Sequence, residues 1–305
     1  MLGIFDSGMG GLSVWKELKK LDPSKGVLYF ADTARFPYGN LSRDKLFIYA
    51  KECIDHLVHL GATSIAIACH TIATTVAPLL KHSSPIPIYD IASHSLSLFT
   101  HLERVAIIGT KATIASQFYQ KHLGEKVIST LSCPLLVPMI EAGVIDLKII
   151  QESLAPLNLN FGFLSPLARD FRTILHRPPS ALRSPVVLSD MGSLNRCKLV
   201  AKLFSPQSDK PKTQVLNRNA DALFLACTHF PLIKEALQSY LGGLSLIDPS
   251  TTFALHLQSL TKSGPDEFYT TGDPLHFQQC ATIFCKEQKV PFPFLVKPLY
   301  LVPHS

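Results

Sequence analysis

Two cysteines end two similar apolar segments of the chain, and their positions suit proton transfer. Cys69 follows the uncharged residues 64–68, and Cys227 follows the uncharged residues 222–226. Uncharged runs of this length are typical of buried parallel strands. Ligands bind at the carboxyl ends of such strands, so we expect both thiols to lie where chemistry takes place. One thiol can then act as a base on one face of a carbon atom while the other acts as an acid on the opposite face.

Such chemistry needs help from neighbouring groups. A free thiol has a pKa of about 8.5, so only a small fraction is thiolate near neutral pH. The α-proton of an amino acid is far less acidic, and donors must hold the substrate carboxylate as negative charge grows in a site kept from water. We expect these donors to be Ser7, Tyr38, Thr71 and Thr113, which follow predicted strands. The mechanism requires neither pyridoxal phosphate nor a metal.

The other cysteines are interpreted as packing residues, because buried cysteine is common in protein cores. They are Cys53, Cys133, Cys197, Cys280 and Cys285. An odd total of seven, without regular spacing, indicates reduced thiols rather than a disulfide framework.

The elements that position these residues alternate between strand and helix patterns, which predicts an α/β protein with parallel sheets. A strand ending near Phe5 leads into the glycine-rich residues 6–11 and a helix from Leu12. We interpret these glycines as a tight turn that needs positive φ, because their spacing does not match a dinucleotide-binding motif. Ser42 is the expected N-cap of a helix that runs to about Leu60 and stops at Gly61.

The same pattern restarts from about Ile91, where a helix leads into an apolar strand that is again followed by glycine, hydroxyl residues and a helix. We therefore predict two pseudo-symmetric α/β domains that face each other across a central cleft. The alternation is lost between about residues 154 and 219, which we interpret as an insertion.

Composition excludes several classes of protein. The chain has 305 residues, of which 47% are hydrophobic and 17% are charged, so it can bury a large core. It has neither a signal-peptide pattern at its start nor a run of membrane-spanning length, which predicts a cytoplasmic protein without membrane contact. The net charge of +6, with no long basic run, favours an anionic small molecule over nucleic acid.

Several motifs, in order along nearly the whole chain, carry a resemblance to a known family. They are Phe-Asp-Ser-Gly-Met-Gly-Gly-Leu-Ser at 5–13, Phe-Pro-Tyr-Gly at 36–39, Ala-Cys-His-Thr-Ile-Ala-Thr at 68–74, Val-Pro-Met-Ile-Glu-Ala-Gly at 137–143, Ala-Cys-Thr-His-Phe-Pro-Leu at 226–232 and Phe-Tyr-Thr-Thr-Gly-Asp-Pro at 268–274. Together they resemble glutamate racemase, of the cofactor-independent aspartate/glutamate racemase superfamily. The resemblance implies interconversion of L- and D-glutamate to supply the D-isomer for peptidoglycan. It also implies that residues 248–305 complete a first domain of residues 1–93, while residues 94–247, with the insertion at about 154–219, form the second.

The resemblance assigns roles to individual residues. It implies that Asp6 assists Cys69, while His229 and Glu141 assist Cys227. It further implies substrate contacts by residues of the strand-to-helix loops, namely Asp6, Ser7, Pro37, Tyr38, Gly39, His70, Thr71, Thr113 and Thr228. The family has Asn where this chain has His70, so we expect weaker glutamate binding without loss of turnover. Protonation of His70 near its usual pKa of about 6.5 would reduce this defect.

Other functions remain open at this point. Cys69, His70, Cys227 and His229 are suitable ligand types for zinc, although their spacing is not that of a zinc finger. A Cys–His hydrolase would use only one of the thiols. A non-catalytic descendant with a binding or regulatory role, or a racemase of another acidic amino acid such as aspartate, would keep the same fold. A homodimer is compatible with all of these.

Overall fold

The structure is a computed structural model that describes residues 1–157, 220–287 and 295–299. Most of the predicted insertion at 154–219, including Cys197, lies outside the described residues.

The described elements are strands and helices that alternate along the chain. The strands are β1 (Leu2–Asp6), β2 (Val27–Ala31), β3 (Ser64–Ile67), β4 (Ile88–Asp90), β5 (Val105–Gly109), β6 (Val127–Ser132), β7 (Ala222–Ala226), β8 (Ser245–Ile247), β9 (Glu267–Thr270) and β10 (Val296–Pro298). The helices are α1 (Leu12–Leu21), α2 (Arg43–His59), α3 (His70–Thr75), α4 (Ala77–Ser83), α5 (Ile91–Ser95), α6 (Lys111–Ala115), α7 (Phe118–Leu123), α8 (Leu136–Glu141), α9 (Leu147–Leu154), α10 (Lys234–Leu241), α11 (Ser250–Leu260) and α12 (Pro274–Glu287).

The strands form two sheets, and every pairing between these strands is parallel. The six-stranded sheet has the order β10-β9-β2-β1-β3-β4, and the four-stranded sheet has the order β6-β5-β7-β8. The predicted α/β class is confirmed.

The four-stranded sheet repeats the order of one part of the larger sheet. Strands β6-β5-β7-β8 follow the same sequence of neighbours as β2-β1-β3-β4. Cys69 follows β3, and Cys227 follows the corresponding strand β7. The two cysteines therefore occupy matching positions in two similar units.

The sheets draw on separate parts of the chain. Strands from residues 2–90 and 267–298 form the larger sheet, and strands from residues 105–132 and 222–247 form the smaller one. The domain boundaries given above stay a prediction.

The core lies on both faces of the sheets. All residues of β1, β2, β5 and β7 are buried, as expected for parallel strands covered by helices on both sides. Helix α1 packs against α11, and Trp15 on α1 is buried against Phe268 with 5.4 Å between ring centroids. The indole N–H of Trp15 donates a hydrogen bond to Asp266 at 3.0 Å, so burial leaves its polar atom satisfied.

Local sequence sets the limits of α2 as expected. Ser42 is the N-cap, and its hydroxyl accepts a hydrogen bond from the Lys45 N–H at 3.5 Å. Gly61 lies two residues beyond the last helical residue with φ of +92°, a conformation that favours glycine. Within the described ranges, no helix is both long enough and apolar enough to cross a bilayer.

Candidate active site

A cleft lies between the carboxyl ends of the two sheets, with about 490 Å³ of space that is partly open to solvent. The lining residues come from the loops that follow β1, β2 and β3 on one side and β5, β6 and β7 on the other. They are Ser7, Phe36, Pro37, Tyr38, Gly39, Asn40, Cys69, His70, Thr71, Thr110, Lys111, Pro134, Val137, Pro138, Cys227, Thr228 and His229. Both predicted cysteines thus face one cleft, at the edge of the sheets where α/β proteins bind ligands.

Cys69 is held at the start of α3, as its N-cap residue. Its sulfur lies 3.6 Å from the Ser7 hydroxyl oxygen, and only 4% of the residue is exposed. Burial, and then the nearby charge of Asp6, raise the pKa of the Cys69 thiol to about 12. Cys69 is therefore a thiol near neutral pH and can give a proton.

Cys227 has a different partner. The Nδ1 atom of His229 lies 3.8 Å from the Cys227 sulfur, and its Nε2 atom lies 2.5 Å from Oε1 of Glu141. Burial alone would lower the pKa of His229, but its hydrogen bonds to Cys227 and Glu141 and their negative charges raise it well above the usual value. His229 is therefore held as a cation beside the sulfur of Cys227.

Asp6 lies behind the cleft wall, next to Cys69. Its carboxylate accepts hydrogen bonds from the Gly8 N–H and from the Thr228 hydroxyl, both at 2.9 Å. Burial raises the pKa of Asp6 to about 6, although the charge of His229 and these hydrogen bonds oppose the shift. A carboxyl group with this pKa can exchange a proton near neutral pH.

The glycine-rich loop after β1 serves a different purpose from the one predicted. Neither Gly8 nor Gly10 has a positive φ, so the expected left-handed turn is wrong. A Cβ atom at Gly8 would lie 2.0 Å from Oε1 of Glu141, and one at Gly10 would lie 2.5 Å from Nδ1 of His229. These glycines allow the backbone to approach Glu141 and His229 closely.

Tyr38 lines the cleft, but its hydroxyl is not available as we expected. The hydroxyl donates a hydrogen bond to the buried carboxylate of Asp32, which also accepts from Arg35 and from the Thr271 hydroxyl. Burial raises the pKa of Tyr38 well above its usual value. Because its proton is already donated, the predicted grip of this hydroxyl on a substrate carboxylate is wrong. Its neighbours Pro37 and Gly39 line the cleft, and their contact with substrate stays a prediction.

Thr113 lies behind the cleft wall, and Thr110 takes its place at the surface. The Thr110 hydroxyl lies 2.9 Å from that of Thr113 and 2.8 Å from that of Thr71, and Thr110 is the N-cap residue of α6. Thr113 therefore does not line the cleft itself, and its hydroxyl contacts Thr110, which does. Its position just before the helix could have identified Thr110, because hydroxyl residues cap helices.

His70 is part of the cleft wall, yet it is 1% exposed. Its ring packs near Tyr119 and Phe224, with centroid distances of 6.4 and 6.1 Å. Neither ring nitrogen has a hydrogen-bond partner among the described residues. Burial lowers the pKa of His70 to about 3, so the expected protonation near pH 6.5 is wrong.

The four residues considered as zinc ligands do not form a metal-binding group. No cluster of three or more His, Cys, Asp or Glu side chains suited to a metal occurs in the part of the chain that the structure describes. His229 instead bonds to Glu141, which lies outside the cleft lining and also accepts the Met9 N–H at 2.6 Å.

Comparisons with known proteins give a consistent picture. No family model matches the chain. The glutamate racemase of Syntrophus aciditrophicus is 30% identical over 301 residues, covering 93% of this chain and 92% of the relative. That of Persephonella marina is 28% identical over 288 residues, covering 91% and 90%. A solved structure of glutamate racemase from Francisella tularensis in complex with D-glutamate matches with a TM-score of 0.71 and 26% identity, covering 99% of this chain and 98% of that one.

Proposed function

Because the chain belongs to the glutamate racemase family, we propose that it interconverts L- and D-glutamate by proton transfer to and from the α-carbon. The observation that carries this proposal is that Cys69 and Cys227 line one cleft from matching strands of two sheets. Each thiol also has a proton-carrying group beside it. The glutamate bound in the Francisella tularensis structure supports the substrate.

In one direction, Cys227 acts as the base. With the cationic His229 stabilising its thiolate, the sulfur takes the α-proton from one face of glutamate. The carbanion then takes a proton from the Cys69 thiol on the opposite face. One C–H bond breaks and one forms, so the configuration inverts while the number of protons in the protein stays the same.

The opposite direction requires the reverse protonation of the two sulfurs. Cys69 must then lose its proton, and the Asp6 carboxylate beside it can assist because its pKa is about 6. Cys227 must gain a proton, and His229 can donate it through Nδ1, which lies 3.8 Å away. The pairs Asp6–Cys69 and His229–Cys227 thus let one site act on both enantiomers.

The carbanion is stabilised by hydroxyl donors in a buried site. We propose that Ser7, Thr71 and Thr110 hold the carboxylate whose charge grows during proton removal, because their hydroxyls lie at the cleft. Thr228 has a different role, since its hydroxyl donates to Asp6. The D-glutamate formed would supply peptidoglycan synthesis.

The test is to incubate the purified protein with L- or D-glutamate in deuterated water. Circular dichroism follows inversion, and mass spectrometry follows deuterium at the α-carbon. We expect both signals from either enantiomer without added cofactor, and loss of inversion in Cys69→Ser and Cys227→Ser. A serine hydroxyl is too weakly acidic to replace the thiol, which should cost at least about 10²-fold.

Three results would oppose the proposal. Activity that appears only with added pyridoxal phosphate or a divalent metal would exclude the two-thiol mechanism. Near wild-type inversion in either serine variant would remove that cysteine from the chemistry. Absence of deuterium incorporation in folded wild-type protein would favour the non-catalytic descendant.

A further inference from the structure

Helix α12, near the end of the chain, contacts the main chain of Glu141. The Nε2 atom of His276 lies 3.1 Å from the Glu141 carbonyl oxygen, and the sulfur of Cys280 lies 3.6 Å from the same oxygen. Because a carbonyl can only accept, Nε2 of His276 must carry the hydrogen in this contact. His276 and Cys280 are four positions apart and so lie on one face of the helix.

The fold explains why this carbonyl needs a donor. Glu141 is the last residue of α8, and the last carbonyls of a helix have no partner within the helix. The turn that follows fits closely against α12: Gly143 has φ of +67°, and a Cβ atom there would lie 3.2 Å from the Cys280 sulfur. Residues of α12 thus donate to the Glu141 carbonyl, and the turn after α8 is shaped to fit against α12.

This contact joins the two sheets. Helix α12 follows β9 of the six-stranded sheet, whereas α8 follows β6 of the four-stranded sheet. The carboxylate of Glu141 makes a second connection, because it accepts the Met9 N–H from the loop after β1. Glu141 is thus held at its carbonyl by α12 and at its carboxylate by the loop that carries Gly8.

We propose that His276 is a positioning residue: it fixes the main chain of Glu141, so that the Glu141 carboxylate stays in contact with His229 and His229 stays in contact with Cys227. The proposal rests on the proposed function, because it assigns His276 to the Cys227 side of the reaction. His276 does not line the cleft and touches none of the reacting atoms. Its effect reaches Cys227 through Glu141 and His229.

A readout that does not need turnover separates this role from simple stabilisation. Iodoacetamide alkylates thiolates, so its rate at a buried cysteine reflects both access and the thiolate fraction. Peptide mapping by mass spectrometry gives the rates at Cys227 and Cys69 in the same sample. Loosening of the contact between the sheets would raise both rates, whereas displacement of Glu141 would lower the rate at Cys227 relative to Cys69.

The variants are His276→Leu, which removes the donor, and His276→Gln, whose side-chain N–H can replace it. His122→Leu is the matched control: His122 is also exposed, its Nδ1 atom lies 2.8 Å from the Phe118 carbonyl oxygen, and it does not line the cleft. We expect His276→Leu to lower the ratio of Cys227 to Cys69 alkylation by about tenfold, the scale of losing one hydrogen bond to a charged group such as His229. His276→Gln should restore most of the ratio, and His122→Leu should match the wild type.

A second variant tests the same contact independently, in case His276→Leu does not fold. Cys280→Ala removes the weaker S–H contact to the same carbonyl, and we expect a smaller decrease in the same ratio. An unchanged ratio in His276→Leu, or an equal rise of both rates, would overturn the proposal. If the wild type does not racemise glutamate but the ratio falls as expected, the proposed function fails and the positioning role stands.

Discussion

Cys69 and Cys227 are matched in position but differ in the charge of their neighbours. Cys69 lies beside a carboxyl group whose pKa is about 6, and Cys227 lies beside a histidine that is held as a cation. Burial therefore keeps Cys69 as a thiol, whereas the sulfur of Cys227 lies 3.8 Å from a cationic imidazole. In the proposed reaction, this asymmetry gives the site an acid and a base from two identical side chains.

Asp6 should lower the stability of the protein at the pH where it works. Its pKa is about 6 in the folded protein, against about 3.9 in an unfolded chain. The folded state thus binds the proton more tightly, and the free energy of unfolding must fall as pH rises from about 4 to about 6. An uncharged side chain at this position would not suffer that loss.

We therefore expect Asp6→Asn to be more stable than the wild type above about pH 6, by a difference on the order of 2–3 kcal/mol. At about pH 4 the two proteins should differ little, since Asp6 is then protonated. Racemisation should fall by about 10²-fold or more. Urea unfolding at both pH values and the inversion assay give the comparison. Lower stability of the variant at pH 8 would show that the hydrogen bonds from Gly8 and Thr228 outweigh the effect of burial.

His70→Asn tests the cleft position at which this chain has histidine where its family has asparagine. A neutral imidazole offers one donor and one acceptor, whereas an amide offers two N–H donors and an acceptor. We expect a lower KM for glutamate in the variant and a lower unfolding midpoint, because the ring that packs near Tyr119 and Phe224 is lost. The effect on KM should be constant between about pH 6 and pH 8, since burial keeps His70 neutral there.

Measurements with both glutamate and both aspartate enantiomers decide the meaning of His70. A higher or unchanged KM for glutamate in His70→Asn, or a preference of the wild type for aspartate, would assign His70 to another specificity. A KM effect that grows as pH falls toward 6 would contradict the neutral state of the ring.

At the scale of elements, the loop after β1 depends on the absence of side chains. Gly8→Ala places a methyl group where Oε1 of Glu141 lies, at a distance of 2.0 Å, so the carboxylate must leave His229. We expect a loss of inversion of about 10²-fold, the scale of losing proton-transfer assistance. Gly243→Ala is the control, because its Cβ would meet no atom within 4 Å and its φ is not positive. Full activity of folded Gly8→Ala would show that Glu141 is not needed.

Strands and helix starts could be predicted where the pattern is local. The uncharged runs before Cys69 and Cys227 predict buried strands, and Ser42 identifies the start of α2, because both depend only on neighbouring residues. The site was predicted less completely. Tyr38 differs because its hydroxyl donates a hydrogen bond to Asp32, a buried carboxylate that needs donors. Thr110 was missed although it stands directly before α6, where a hydroxyl residue is expected as the N-cap.

The role of the glycines could not be read from the loop alone. Glu141 lies 132 positions from Met9, whose main-chain N–H donates a hydrogen bond to the Glu141 carboxylate. Such distant contacts depend on how the two sheets meet, and no local spacing encodes this. The same holds for the contact of His276 with Glu141, which lies 135 positions away.

At the scale of the whole molecule, each of the two units donates a hydrogen bond to a carboxylate of the other. Asp6 on the larger sheet accepts a hydrogen bond from the hydroxyl of Thr228, which follows a strand of the smaller sheet. In the wild type, the hydrogen bond from Thr228 lowers the pKa of Asp6. Because Thr228→Val removes this donor, the pKa of Asp6 must rise in the variant. We expect the acidic limb of the pH profile of kcat/KM to move upward by about 0.5–1 unit.

Thr228→Ser keeps the hydroxyl and should leave the limb near its wild-type position. An acidic limb that stays in place in Thr228→Val would mean that Asp6 does not control it, and a limb that moves equally in both variants would assign the change to lost packing.

The reciprocal hydrogen bonds between Asp6 and Thr228 and between Met9 and Glu141 also constrain how such a protein can change over evolutionary time. Two units with the same strand order could each, in principle, be lost, exchanged for another unit or joined to a different protein. Here, each unit supplies one of the two cleft cysteines and one carboxylate that accepts a hydrogen bond from the other unit. Loss or exchange of one unit alone would therefore remove a donor from the carboxylate of the unit that remains.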